Sequence, residues 1–191
     1  TIGLNKLSSY QTIKYSINYI ANTPSPWINM DTSTNITLDN IGDKVYVIGV
    51  LSGNNNSSNY TQFKMTGKIA ASGNCNAIWN YQDLNAPLKA YCGYNMFEGC
   101  TSLTTAPELP ATELAEDCYK SMFRSCTSLT TTPELPATEL ADWCYYYMFN
   151  GCTSLTTAPE LPATTLANYC YYNMFYGCKS LTSAPELPAT I

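Results

Sequence analysis

Nine cysteines and no histidine set the chemical limits of this 191-residue chain. Without histidine, the commonest general base, the Ser-His and Cys-His nucleophile pairs and most zinc sites are all missing. The cysteines fall into two series: Cys92, Cys118, Cys144 and Cys170, then Cys100, Cys126, Cys152 and Cys178. Each series advances by 26 residues. Cys118 and Cys126, if helical, would sit roughly 12 Å apart along the axis, beyond the roughly 7 Å that a disulfide tolerates. Neighbours one period apart, such as Cys126 and Cys152, could come closer, but each interior cysteine then has two equal partners. Free thiols filling small core positions fit best. Disulfides come second and a metal site last, because a row of thiols does not make a tetrahedron. Cys75 stands outside both series and is expected to be buried.

Glu108, Glu134, Glu160 and Glu186 form a second row at the same step. Like charges about 5 Å apart repel, so the row must be solvated or hold a hard cation such as calcium with several oxygen ligands. The solvated row is favoured. Paired carboxylates could in principle hydrolyse glycosides, yet nothing in the sequence encloses a cleft around them. No catalytic residue, cofactor or metal is expected, and the chain is read as non-enzymatic.

Tyrosine is the richest clue. Sixteen are present, including Tyr145-Tyr146-Tyr147 and Tyr171-Tyr172, with Tyr94, Tyr119 and Tyr176 at or near equivalent places. Consecutive residues on a helix point in different directions, so these runs cannot all enter a core. Exposed tyrosine gives rigid contact area with a polar tip, as recognition surfaces use. Partly buried spacers between repeats are the plainer alternative. Tyr145, Tyr146, Tyr147, Tyr171 and Tyr172 are the candidate binding residues.

What must position these residues is a repeat. Met96-Phe97, Met122-Phe123, Met148-Phe149 and Met174-Phe175 keep the 26-residue step, as do Leu103, Leu129, Leu155 and Leu181 and the Pro-Glu-Leu-Pro segments from Pro107, Pro133, Pro159 and Pro185. Three units are complete and a fourth is partial. A fixed period in this range implies stacked units, none of which buries its apolar face alone. Leu114, Cys118, Met122 and Cys126 are four apart, which predicts one face of a short helix. Ser128-Leu129-Thr130-Thr131 predicts a short strand, and Pro133 and Pro136 an extended or turning arm. The expected class is therefore α+β. An antiparallel β-sandwich over 1–85 would cap a leucine-rich-repeat-type solenoid over 86–191, with a strand and a helix in each coil.

The phrase F-x-x-C-T-S-L-T followed by a Pro-bounded arm resembles the BspA-like leucine-rich repeats of bacterial surface proteins. The longer P-E-L-P-A-T-x-L-A-x-x-C-Y form is similar to a variant frequent in gut Bacteroidota and their phages. The resemblance covers about residues 86–191 and implies surface adhesion. The usual family unit is shorter, so the helical arm is expected to be longer here.

Residues 1–85 show no such period. Ile13, Tyr15, Ile17 and Tyr19 alternate, as do Val45 and Val47, and Phe63 and Met65, which predicts six or seven strands. Asn40-Ile41-Gly42-Asp43 predicts a hairpin between Ile36-Thr37-Leu38 and Lys44–Val50. This half also resembles the β-rich segment that precedes such repeats, in Gly42–Tyr46 and Ser72–Asn74.

Net charge is −5 with the basic residues scattered, so the phosphate-neutralising patch of a nucleic-acid binder is missing. Apolar runs fall short of the roughly 18 residues of a membrane span. The chain opens at Thr1 without Met, which a processed or excised product would explain. A cell-surface or secreted module that binds an extracellular protein or glycan is expected, with a phage tail or fibre component and a structural spacer as rivals. An uncovered fourth coil also implies further coils or self-association at the carboxyl-terminal end.

Overall fold

A computed structural model describes residues 1–17 and 26–189; the sequence expectation at Tyr19 lies outside them. The chain runs β1 (Ile2–Lys6), β2 (Gln11–Ile17), β3 (Ile28–Met30), β4 (Asn35–Ile36), β5 (Val45–Leu51), β6 (Gln62–Met65), β7 (Ile69–Ala70), α1 (Ala77–Asn80) and β8 (Leu103–Thr105). Two antiparallel sheets form, ordered β4-β1-β6 and β3-β2-β5, and β7 pairs with β8 in parallel. Val and Ile in alternation suit β2 and β5, which align over seven residue pairs from Gln11↔Leu51 to Ile17↔Val45. The expected hairpin between Ile36 and Val45 does not form. The turn exists, with Asp43 N–H donating to the Asn40 carbonyl at 3.3 Å. Its arms, however, leave for different sheets, β4 to β1 and β5 to β2.

The repeat region overturns the expected α+β class. Among the described residues helix is confined to α1, and no coil closes as the strand-plus-helix unit of a leucine-rich-type solenoid. Among the described residues there, 103–105 alone form a strand, against β7. The arm expected to be helical is a run of tight turns in all four units. We number the units by span as first (88–113), second (114–139), third (140–165) and fourth (166–189).

The turn geometry follows from where the N–H groups go. Tyr91, Asn95, Asp117, Tyr119, Ser121, Ser125, Trp143, Tyr145, Tyr147, Tyr169 and Asn173 have φ between 51° and 63°. Such left-handed backbone costs a non-glycine residue about 1–2 kcal/mol. In the first three units every one of these residues donates its N–H to an adjoining unit. Tyr91 donates to the Glu116 carbonyl at 2.9 Å, Asn95 to Lys120 at 3.0 Å, Ser125 to Asn150 at 2.7 Å and Tyr147 to Tyr172 at 3.0 Å. The residues between them bond inside their own turn, as Met96 does to Gly93 at 3.2 Å and Met122 to Tyr119 at 3.1 Å. Alternating handedness sends successive N–H groups to alternate destinations. A helix would keep them all to itself and leave the units unbonded. Residues such as Asp142, Trp143, Cys144 and Tyr145–Tyr147 are poor helix formers, so little opposes the turns. Four-residue spacing misled because successive turns also return a side chain to the same side.

The core is one continuous body that runs through both halves. Leu4, Ile13 and Phe63 join Met96, Met122, Met148, Phe97, Phe123 and Phe149, all 3 % exposed or less. Phe rings stack in register, Phe63–Phe97–Phe123–Phe149–Phe175, at 5.4, 5.5, 5.6 and 5.8 Å.

The stack begins earlier than the period suggests. Phe63 donates to the Met96 carbonyl at 2.8 Å, as Phe97 does to Met122 and Phe123 to Met148. Ile69 bonds to Ser102, and Cys75 to Glu108. Residues 63–75 thus form a layer under the first unit.

Candidate recognition face

The cysteines are settled by their surroundings. All nine are free; eight are buried and Cys178 is half-buried. The Cys126 thiol donates to the Phe97 carbonyl at 3.1 Å, Cys152 to Phe123 at 3.1 Å and Cys178 to Phe149 at 3.0 Å. Cys100 does the same to Phe63 at 3.4 Å. The residue is thus a small apolar filler that also satisfies one carbonyl between layers. Burial pushes the Cys100 and Cys152 thiols up to about 12. Glu108, Glu134, Glu160 and Glu186 are exposed. Among the described residues no group of three or more Cys, Asp or Glu is placed to hold a metal ion. No helix among them is long and apolar enough to cross a membrane.

The five candidate tyrosines divide. Tyr145 is 1 % exposed and stacks between Tyr119 and Tyr171, 5.9 Å from each. It cannot touch a ligand. Tyr171 is half-buried, and its hydroxyl is buried without a hydrogen-bond partner. These two belong to an inner column that starts with Trp79 of α1, 6.0 Å from Tyr119. Position 93 carries Gly where later units carry Tyr, at φ +74°. A β-carbon there would meet the Tyr119 ring at 2.8 Å, Met122 Sδ at 3.2 Å and Trp79 at 3.4 Å. Glycine opens the gap that the Trp79 indole fills.

Tyr146, Tyr147 and Tyr172 reach the surface and are joined by two residues the sequence reasoning passed over, Trp143 and Tyr169. Trp143 stacks on Tyr169 at 4.4 Å and 16°, and Tyr146 on Tyr172 at 5.0 Å and 11°. Tyr147 meets Tyr146 edge-on at 4.4 Å, and its hydroxyl accepts from Asn173 Nδ2 at 3.2 Å. Tyr169 and Tyr172 are 55 % and 45 % exposed. The sequence signal was available: Tyr91, Trp143 and Tyr169 hold one position of the period, and Tyr94, Tyr146 and Tyr172 another.

The second unit breaks both outer columns with charge. Asp117 stands where the others carry Tyr or Trp, and Lys120 where they carry Tyr; the two form an ion pair at 2.7 Å. The Lys120 ammonium lies 4.7 Å from the Trp143 ring centre, 4.9 Å from Tyr146 and 6.0 Å from Tyr94. Asp117 also accepts a hydrogen bond from the Tyr91 hydroxyl, which raises that phenol to about 12. A cation between aromatic layers is held by the negative faces of the rings.

The chain matches no protein-family model, no curated protein and no solved structure.

Proposed function

We propose that the chain is a non-enzymatic recognition module, displayed on a cell or virion surface, that grips a partner protein through Trp143, Tyr146, Tyr147, Tyr169 and Tyr172. One observation carries this: five aromatic rings on neighbouring units hold one another at 4.4–5.8 Å while reaching solvent. Rings already fixed by their neighbours lose little freedom on binding, so their contact area turns into affinity efficiently. The likeness of the repeat to those of BspA-like surface proteins supports the same role and location.

Ring orientation favours protein over glycan. Trp143 and Tyr146 have both ring faces taken, by Lys120 on one side and by Tyr169 or Tyr172 on the other. The edges of these two rings are what remain outward, suited to hydrogen bonding and to side-chain packing.

The test is a paired array of extracellular proteins and glycans, probed with the chain and with a Tyr146→Ser/Tyr169→Ser/Tyr172→Ser variant. Binding to protein spots that the variant loses supports the proposal. Binding that survives in the variant removes this face, and binding confined to glycan spots replaces the partner class.

A further inference from the structure

The Pro-bounded arm of the repeat has a counterpart one layer below the first unit. Leu84-Asn85-Ala86-Pro87-Leu88 stands 26 residues before Pro110-Ala111-Thr112-Glu113-Leu114, as that segment stands 26 before Pro136-Ala137-Thr138-Glu139-Leu140. The two upper arms pair in parallel at Glu113 and Glu139. Leu114 N–H donates to the Glu139 carbonyl at 3.0 Å, and the N–H groups of Thr138 and Glu139 donate to the Thr112 carbonyl at 3.0 and 3.2 Å. Successive peptide groups of an extended chain face opposite ways. The Glu113 N–H and C=O are therefore turned away from the upper arm, toward the side of residues 84–88. They meet no partner there. Among the described residues the N–H groups of Leu88, Thr112 and Glu113 and the carbonyls of Ala86 and Glu113 make no hydrogen bond.

A cavity of about 430 Å³ lies in this gap, inside the roughly 300–1,000 Å³ range of ligand pockets. Ala86, Leu88, Thr112 and Glu113 all line it, and Leu84, Pro87 and Leu114 add apolar wall. Asn76 supplies a second, independent observation. It is 7 % exposed and lines the same cavity. Its Nδ2 donates to the Leu84 carbonyl at 2.8 Å, while its Oδ1 is buried without a partner among the described residues. Buried acceptors are nearly always satisfied, so this one marks a place where a donor belongs.

We propose that this cavity binds an extended peptide segment of a partner protein, laid parallel to residues 111–114. One carbonyl of the segment accepts from Glu113 N–H, and the N–H two residues further on donates to the Glu113 carbonyl. Asn76 Oδ1 takes a further donor. This is main-chain augmentation of an open edge, with the apolar wall selecting side chains. The segment that fits is of the Pro-Ala-Thr-Glu-Leu kind, because one layer up that sequence makes these bonds to Glu139 through the Thr112 carbonyl and Leu114 N–H. The site shares no residue with the tyrosine face and does not rest on it.

The probe is the peptide Ac-Pro-Ala-Thr-Glu-Leu-Ala-NH2, titrated into the 15N-labelled chain and followed by amide NMR. Saturable shifts at millimolar probe are expected at Leu88, Thr112 and Glu113, with slowed hydrogen exchange at Glu113. An ester analogue in which the Leu N–H becomes oxygen should bind about tenfold more weakly, the size of one net hydrogen bond. Glu113→Pro removes the N–H that faces the cavity and should weaken the parent probe by a similar factor. Should that variant not fold, the ester analogue on the unaltered chain decides. Equal affinity of ester and parent, or no saturable shift at millimolar probe, would overturn the site, since the gap would then hold water only. So would a dimer in sedimentation that the parent probe dissociates, because the occupant would then be a second copy. Failure here with array binding intact removes this cavity alone, and the reverse pattern removes the tyrosine face alone.

Discussion

Tyr145 and Tyr146 are chain neighbours, yet one lies at the centre of the stack and the other at its rim. Tyr145 is closed in by Tyr119 and Tyr171, and burial holds its phenol well above the usual range. Tyr146 shares its ring faces with Lys120 and Tyr172 and reaches solvent. Residue type is the same, so place within the turn decides the role. Inner columns hold the layers together. Outer columns offer a patterned surface on which a unit can exchange an aromatic pair for Asp117 and Lys120 with no change in the backbone path.

The contrast breaks most sharply by truncation. Tyr119→Ala is expected to cost about 4 kcal/mol, the range of a buried aromatic deletion. Tyr172→Ala should cost about 1 kcal/mol or less, as surface changes do. Denaturant midpoints at constant slope would measure both, and similar losses would erase the inner–outer distinction. Next in size is Gly93→Ala, about 3 kcal/mol, from crowding against Tyr119 and Met122 plus the left-handed φ.

Alkali sharpens the comparison through charge. Burial raises the Tyr119 and Tyr145 phenols, and the bond to Asp117 raises Tyr91 to about 12. A raised folded pKa means that the native state binds more protons than the unfolded one above about pH 10. Stability should therefore be intact below that pH and fall as pH rises toward 12. Absorbance at 295 nm should show one tyrosine class ionising early and a second only with unfolding; a single smooth titration without unfolding would refute it.

A smaller effect, of opposite sign, is expected at Ser125. It holds φ 60° where the other units carry Gly99, Gly151 and Gly177. Ser125→Gly removes the strain but frees the unfolded chain, for a net gain of about 0.5–1 kcal/mol in thermal or denaturant unfolding. The smallest effect concerns thiol access. Iodoacetamide at pH 8 should label half-buried Cys178 first, while Cys100 and Cys152 stay protected by burial. Equal labelling of all three in the native state would contradict the inner stack.

Much of the site was legible from the period, because a 26-residue step states which residues become neighbours. Phe97, Phe123, Phe149 and Phe175 could be aligned on paper, and so could Tyr94, Tyr146 and Tyr172. The layer at 63–75 was legible too, since Phe63, Ile69 and Cys75 are spaced as Phe97, Leu103 and Leu109 are. An offset of 34 in place of 26 concealed it. The role of Trp79 was not legible, because nothing local links an indole in α1 to a missing side chain at Gly93. The division of the five candidate tyrosines was out of reach as well. It depends on turn handedness, which helical spacing does not report.

Composition and spacing by themselves determined the register: which side chains stack, and that no histidine chemistry enters. The tertiary structure alone decided how the backbone satisfies itself. A turn segment can keep its N–H groups in a helix or share them with the next layer, and only the presence of that layer makes left-handed residues such as Tyr145 and Tyr147 worth their strain. The choice of which tyrosine is interior and which is offered to a partner followed from it.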